Sequence, residues 1–220
     1  MERVHVLVEG QTEEAFVGRV LQPHLFELGV HLTPILVVTK RVIAGPNHKG
    51  GLSRWEPVRR DIVRLLGDSS AIAVTTMLDY YGLPGDWPGA DDRPSNDARA
   101  AVAHLETATD AAVGSGRFSA FLALHEFESM LYVDPVAAGQ YLGSQVLTKA
   151  MEAAISSCGE PELVNDDPAT APSKRILAAF PGYQKVFHGP VVAERIGLDE
   201  LRAGCPHFGE WVEWLESFGS

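Results

Sequence analysis

The sequence predicts an α/β fold in which a mostly parallel, four-stranded sheet carries helices on both faces. Short runs rich in β-branched residues alternate with helical patterns over the first 125 residues. Each predicted strand is separated from the next by a stretch long enough to return the chain for parallel pairing. After residue 125 no strong strand pattern remains, so we expect the second half to form a helical cap on the sheet.

The first elements are two strands with a helix between them. Residues 4–8 form a short β-branched run, and the helical pattern that follows ends at Gly29, a residue type that terminates helices well. The second strand is predicted over residues 31–39, where a continuous apolar centre indicates burial on both faces. After a glycine-containing loop, a helix is expected from about Trp55 to Leu66.

The third and fourth strands complete the predicted sheet. Residues 71–78 form a strand that ends at Asp79, and the Gly/Pro-rich segment after it excludes both a helix and a central strand. A helix is predicted over residues 96–113, followed by a strand over residues 118–124. The order β-α-β-α-β-α-β predicts right-handed crossovers and helices on both faces of the sheet.

The remaining residues predict short helices broken by proline and glycine. We expect an α/β domain over residues 1–133 and a helical cap over residues 134–220, packed together as one compact unit. A polar loop is expected over residues 159–172. Helices are expected near residues 135–141, 145–157, 173–180, 198–203 and 208–218.

Composition limits the function classes. The formal net charge is −11, which argues against a protein that holds nucleic acid mainly through basic contacts to phosphate. A nucleic-acid role would therefore need a local basic patch, a divalent metal or a basic partner. The cysteines, Cys158 and Cys205, are far apart, so neither a disulfide framework nor a zinc site is expected. Without a signal peptide or a long apolar run, we expect a cytoplasmic protein with no membrane association.

Acidic residues follow three of the predicted strands. Glu9 comes after the first, Asp79 after the third, and His125-Glu126-Phe127-Glu128 after the fourth. Ligands of open parallel sheets bind beyond the carboxyl ends of the strands, so these side chains are expected at one edge. Each acid alone has an ordinary explanation as a turn or capping residue. Together they predict a site for a hard divalent cation, Mg²⁺ or Mn²⁺.

Basic residues are candidates to bind phosphate at the same edge of the sheet. Lys174 and Arg175 begin a predicted helix, Lys185 follows soon after, and Lys49 lies after the second strand. We predict all four as phosphate-binding residues, with Lys174 and His125 as additional candidates for catalysis. Two alternatives stay open: a salt bridge from Lys174 or Arg175 to the acidic edge, and a purely structural role for His125.

Four segments carry a resemblance to a known family. Residues 8–13, Val-Glu-Gly-Gln-Thr-Glu, resemble the first motif of TOPRIM domains, especially the Glu-Gly-x-Thr/Ser-Glu form of OLD-type nucleases. The full set is similar to a bacterial TOPRIM-like family of uncharacterised proteins that includes RloG-like members near restriction-modification loci. The matching segments are Glu-Gly-Gln-Thr-Glu, Asp-Tyr-Tyr-Gly-Leu-Pro, His-Glu-Phe-Glu and Ala-Pro-Ser-Lys-Arg, which together span nearly the whole chain.

The resemblance implies Mg²⁺-dependent phosphodiester chemistry on DNA or RNA. In that scheme Glu9 acts as general acid/base or metal ligand, and Glu13 and Asp79 hold metal. The third-strand motif of TOPRIM domains is Asp-x-Asp, whereas this chain has Tyr81 at the second acid. The carboxylates of the His-Glu-Phe-Glu segment, Glu126 and Glu128, are then the candidates to supply the missing oxygen.

Three functions follow from these residues. The first is a metal-dependent nuclease, with a role in phage defence. The second is a catalytically degenerate TOPRIM module that binds an ATPase partner or a nucleotide, which the acidic charge and Tyr81 favour. The third is a phosphatase or nucleotide hydrolase that uses the same edge on small substrates.

Overall fold

The computed structural model describes residues 1–37, 52–164 and 170–219. Its sheet has the order β2-β1-β3-β4, with β5 pairing to β3 beyond β4. All of the strand pairs are parallel, so the predicted parallel α/β sheet is confirmed. The strands are β1 (Glu2–Val8), β2 (Val30–Leu36), β3 (Ala73–Asp79), β4 (Phe118–Ser119) and β5 (Leu122–Ala123).

Most of the helices lie where the sequence pattern predicts them. All five helices predicted in the cap are present, with ends shifted by at most two residues. The α-helices are α1 (Gln11–Phe16), α2 (Gln22–Glu27), α3 (Trp55–Leu66), α4 (Ala98–Val113), α5 (Pro135–Leu142), α6 (Gln145–Cys158), α7 (Pro172–Ala179), α8 (Lys185–Ile196), α9 (Leu198–Gly204) and α10 (Pro206–Glu216). Among the described residues, 3₁₀ segments lie at Tyr80–Gly82, Phe127–Val133 and Pro161–Leu163, the last within the predicted polar loop.

Two apolar clusters cover the two faces of the sheet. On one face, Val4 and Val6 of β1 pack with α1, α2 and the C-terminal helices. On the other, Leu7 of β1 and Val74 of β3 pack with α3 and α4. The first cluster includes side chains from both the 1–133 and the 134–220 segments. Across the ranges that the structure describes, no helix is long and apolar enough to cross a membrane.

The first helix is interrupted by a π-helical turn. Residues of the predicted single helix divide into α1, a π turn at Val17–Leu21, and α2. Pro23 lies at the start of α2, where its ring would clash with the carbonyl four residues earlier in a regular α-helix. The wider π turn accommodates that proline. Because the helical winding continues from α1 through the π turn into α2, the apolar residues show the pattern of one helix.

The predicted fourth strand is split into β4 and β5 by one threonine. The Thr76 hydroxyl donates to the Phe121 carbonyl oxygen at 2.9 Å and accepts from the Phe121 N–H at 3.0 Å. In the gap between β4 and β5, these side-chain bonds take the place of the backbone ladder to β3. On the outer edge, Asp110 accepts from the Ala120 N–H and Glu106 from the Leu122 N–H. Carboxylates of α4 therefore cover this edge of the sheet.

Thr76→Val is expected to lower the free energy of unfolding by about 1–3 kcal/mol. Valine keeps the shape of this fully buried side chain but leaves the Phe121 N–H and carbonyl without partners. Chemical denaturation measures the change. The matched control is Thr107→Val, since the exposed Thr107 hydroxyl bonds only its own helix at the Ala103 carbonyl. Equal losses in the two variants would contradict this account.

Helix α8 was not predicted. It contains Pro190 at its sixth position, directly after Gly189, a pair that the sequence pattern marks as a break. Close packing selects the helix, because a Cβ added at Gly189 would come within 3.0 Å of both Phe127 and Tyr183. Any larger residue here would require Phe127 or Tyr183 to move. This helix begins at Lys185, so its position decides where that charge lies.

Candidate acidic site

Five carboxylates from three parts of the chain interact electrostatically at the carboxyl edge of the sheet. They belong to the turn after β1, the end of β3 and the segment after β5, as the sequence predicts. Charge repulsion connects all five: Glu13 and Glu126 raise the pKa of Glu9, and Glu126 raises that of Glu128. Glu13, Glu9 and Glu128 raise the pKa of Asp79. We call this set the acidic cluster: Glu9, Glu13, Asp79, Glu126 and Glu128.

Glu9 is held in the cluster by the turn that follows β3. A Cβ added to Gly82 would come within 2.9 Å of Glu9 Oε2, so this glycine lets the backbone lie over the carboxylate. That oxygen is buried and has no hydrogen-bond partner among the described residues. Burial raises the pKa of Glu9 to about 7, Glu13 adds to the rise, and a hydrogen bond from the Asp79 backbone opposes it.

Glu13 and Asp79 are each fixed by one backbone N–H. The Gly10 N–H donates to Glu13 Oε2 at 2.9 Å, which folds the Glu13 side chain back over the start of α1. The Phe127 N–H donates to Asp79 Oδ1 at 2.9 Å and so joins β3 to the segment after β5. Burial raises the pKa of both carboxyls, and for Asp79 repulsion from Glu13 and Glu9 raises it further.

Glu128 and Glu126 face Lys185 at the start of α8. Lys185 Nζ donates to Glu128 Oε2 at 3.1 Å and lies 3.9 Å from Glu126 Oε1. The Tyr183 hydroxyl donates to the other Glu128 oxygen at 3.4 Å. Burial raises the pKa of Glu128 to about 7 although Lys185 lowers it. Attraction to these acids outweighs burial at Lys185 and raises the pKa of its ammonium group.

The charge of Lys185 reaches the whole cluster. It lowers the pKa of Glu9, Glu13 and Asp79 as well as that of Glu128. One ammonium group cannot neutralise five carboxylates. The remaining negative charge must be compensated by bound protons or by a further cation, which is the condition that favours divalent metal binding.

Two other predicted phosphate-binding residues, Lys174 and Arg175, lie at the start of α7. Lys174 is exposed in the first turn of α7, and Arg175 Nε donates to the Thr170 carbonyl at 2.7 Å. At the same helix end the Ser173 N–H donates to Glu126 Oε2 at 3.0 Å. The helix end that was predicted to meet a phosphate thus holds a carboxylate of the cluster. Lys49 lies outside the described residues.

His125 and two tyrosines border the cluster. His125 is buried and has φ of 64°, a left-handed conformation that is uncommon outside glycine and marks a sharp turn at the end of β5. Its ring lies 5.4 Å from that of Tyr81 and 6.3 Å from that of Tyr80. The turn places His125 against aromatic rings, at the boundary between the acidic cluster and an open cleft.

A magnesium ion is compatible with the donors present. Among the described residues, no group of three or more His, Cys, Asp or Glu side chains has the geometry of a formed metal site. Magnesium commonly takes only one or two carboxylates and completes its shell with water and substrate phosphate. Glu9, with a buried oxygen that lacks a partner, and Asp79, with one oxygen outside its hydrogen bond to Phe127, supply that number.

Comparisons with known proteins identify the family of the chain but give it no established activity. No curated protein matches the chain. The C-terminal region of the Burkholderia pseudomallei OLD protein is 16% identical, with a TM-score of 0.45 over 98% of this chain and 99% of that one. The corresponding region of the Xanthomonas campestris pv. campestris OLD protein is 14% identical, with a TM-score of 0.39 over 97% and 98%. A family model matches residues 8–216, and the chain belongs to that family, described as a domain of unknown function, DUF4276.

Proposed function

We propose that this chain is a metal-dependent nuclease of the TOPRIM type that hydrolyses phosphodiester bonds of nucleic acid. The observation that carries the proposal is the acidic cluster, in which five carboxylates interact at the carboxyl edge of a parallel sheet and are faced by Lys185. The resemblance of residues 8–13 to the first TOPRIM motif supports the same chemistry. A role in phage defence is part of this proposal.

Each part of the cluster has a task in this scheme. Asp79, together with Glu9 or Glu13, would hold Mg²⁺ or Mn²⁺, which when bound supplies a Lewis acid and lowers the pKa of water. If Glu9 serves as the general acid/base instead of as a metal ligand, its pKa of about 7 lies in the range in which a carboxyl group transfers protons well. Lys185 places positive charge beside the carboxylates and would attract the phosphate oxygens.

The charge balance predicts that activity requires a divalent cation. A phosphodiester that approaches the cluster meets five carboxylates and one ammonium group, so without metal the site repels it. We expect purified protein to cleave plasmid, single-stranded DNA or RNA in Mg²⁺ or Mn²⁺ and to be inactive in EDTA. Asp79→Asn is expected to lower the rate by about 100-fold or more, as loss of a main electrostatic group does.

The control for Asp79→Asn is Asp91→Asn. Asp91 is an exposed aspartate in the loop after the same strand, outside the acidic cluster, so its variant should keep full activity. Cleavage that persists in EDTA, or that survives Asp79→Asn, would refute a metal-dependent reaction at this site. A thermal melt of both variants separates a lost reaction from a lost fold.

A second function has its own support. Tyr81 replaces an acid of the third-strand motif, Lys185 already pairs with Glu128 and Glu126, and the described residues contain no formed three-ligand metal site. These observations favour a non-catalytic module that binds an ATPase partner or a nucleotide. No cleavage in either metal, together with a stable complex with a co-expressed ATPase from a neighbouring gene, would establish this alternative.

A further inference from the structure

An open cleft of about 780 Å³ shares a wall with the acidic cluster. That wall is formed by Tyr80 and Tyr81 of the Tyr80–Gly82 turn together with His125, and the opposite wall comes from the start of α4 and the end of α6. The turn directly follows Asp79, and His125 directly precedes Glu126. The same turn covers Glu9. A polymer bound at the acidic cluster would therefore have its adjacent unit within reach of the cleft.

The shared wall is aromatic. The rings of Tyr80 and Tyr81 are nearly parallel, at 20°, with centroids 6.1 Å apart. Tyr81 is 36% exposed and contributes to the lining of the cleft. The guanidinium of Arg93 lies 5.4 Å from the centre of the Tyr80 ring. Exposed aromatic rings that are held in place by neighbouring rings are the surfaces on which unpaired bases stack.

The opposite wall is polar but does not suit phosphate. Ser95 and Asn96 bring a hydroxyl and an amide to the cleft. Arg99 pairs with Glu160 at 2.7 Å and with Glu162 at 3.2 Å, so its charge is already balanced. Glu160 also lines the cleft and would repel a phosphate. Neutral hydrogen-bonding groups fit these residues better, and the edge of a nucleobase presents such groups.

We propose that this cleft binds an unpaired nucleobase next to the phosphodiester held at the acidic cluster, with Tyr81 as the stacking surface. The inference rests on the proposed nuclease function and narrows its substrate class to single strands, or to duplexes with an unpaired base. A base inside a duplex cannot enter the cleft without leaving its stack.

The test is equilibrium binding in Ca²⁺, a divalent cation that compensates the charge of the acidic cluster, over a time in which no cleavage of the strand is detected. Fluorescence anisotropy of a short labelled single strand gives the dissociation constant for wild type, Tyr81→Ala and Tyr81→Phe. Tyr81→Ala is expected to weaken binding about 5- to 150-fold, whereas Tyr81→Phe, which keeps the ring, should stay within about twofold. The control is Phe26→Ala, which removes a 53% exposed aromatic ring from α2, near the opposite edge of the sheet.

The cleft proposal and the nuclease proposal can be refuted independently. A Tyr81→Ala protein that is folded by its thermal melt and binds the single strand as wild type does overturns the cleft proposal. An equal loss in Phe26→Ala also overturns it, because the effect would not be specific to the cleft. Tyr81-dependent binding by a wild-type protein that never cleaves would support the cleft while refuting the nuclease.

Discussion

Glu9→Gln is expected to lower the cleavage rate by about 10²- to 10⁴-fold while making the protein more stable near pH 8. The first effect is the usual contribution of a group that transfers protons in the reaction. The second follows from the pKa of Glu9, which the folded protein raises from its ordinary 4.5 to about 7. A raised pKa favours folding when the proton is bound, and this stability is lost as the pH rises from about 4.5 through 7.

Glutamine removes the charge that costs stability above neutrality. We expect a gain of about 1–2 kcal/mol near pH 8, less than the full shift would give because Glu9 is partly exposed, and no gain near pH 4.5. Denaturation at several pH values measures this difference. The control is Glu14→Gln, which changes an adjacent acid of α1 outside the cluster. A variant that loses both activity and stability would show that Glu9 is needed only for the fold.

Lys185→Met is expected to lower the free energy of unfolding by about 2 kcal/mol near pH 8. Its removal leaves Glu128, which is 1% exposed, without its cation. Breaking a buried ion pair commonly costs about 3–5 kcal/mol. The lower figure applies here because the Lys185 side chain is itself 42% exposed, so water already screens the pair.

A double-mutant cycle isolates this pair. Glu128→Gln in the Lys185→Met background should restore most of the lost stability, since no unpaired charge remains buried. The loss should also shrink as the pH falls below about 7, where Glu128 takes up a proton. The control is Lys149→Met, which removes an exposed lysine of α6. No recovery in the double variant would mean that Lys185 acts through packing of its alkyl chain instead.

The sheet was predictable because its signals are local. The β-branched runs and the helical patterns between them predict parallel strands, and that topology alone brings Glu9 and Asp79 to one edge. The break in the fourth strand was not predictable, because it depends on a hydroxyl of Thr76 on the neighbouring strand. No pattern within residues 118–124 marks it.

The sequence did not predict that Lys185 forms the ion pair with the acidic cluster. The sequence left open an ion pair between the acids and Lys174 or Arg175, and it placed Lys185 among the phosphate-binding residues; the structure pairs Lys185 with Glu128 and Glu126. Its position follows from α8, a helix that forms despite Pro190 because Gly189 packs tightly on Phe127. Tertiary packing overrides local propensity here, and a single sequence carries no signal for it.

Because 57 residues separate Glu128 from Lys185, the lysine is synthesised later than the glutamate. A ribosome that adds about 5–20 residues per second makes the lysine roughly 3–11 s after the glutamate. All five acids of the cluster are synthesised before the cation that faces them. In that interval the nascent sheet has protons, water and free metal ions as partners for its carboxylates. The carboxylates of the cluster are therefore accessible to metal ions during synthesis before Lys185 is present.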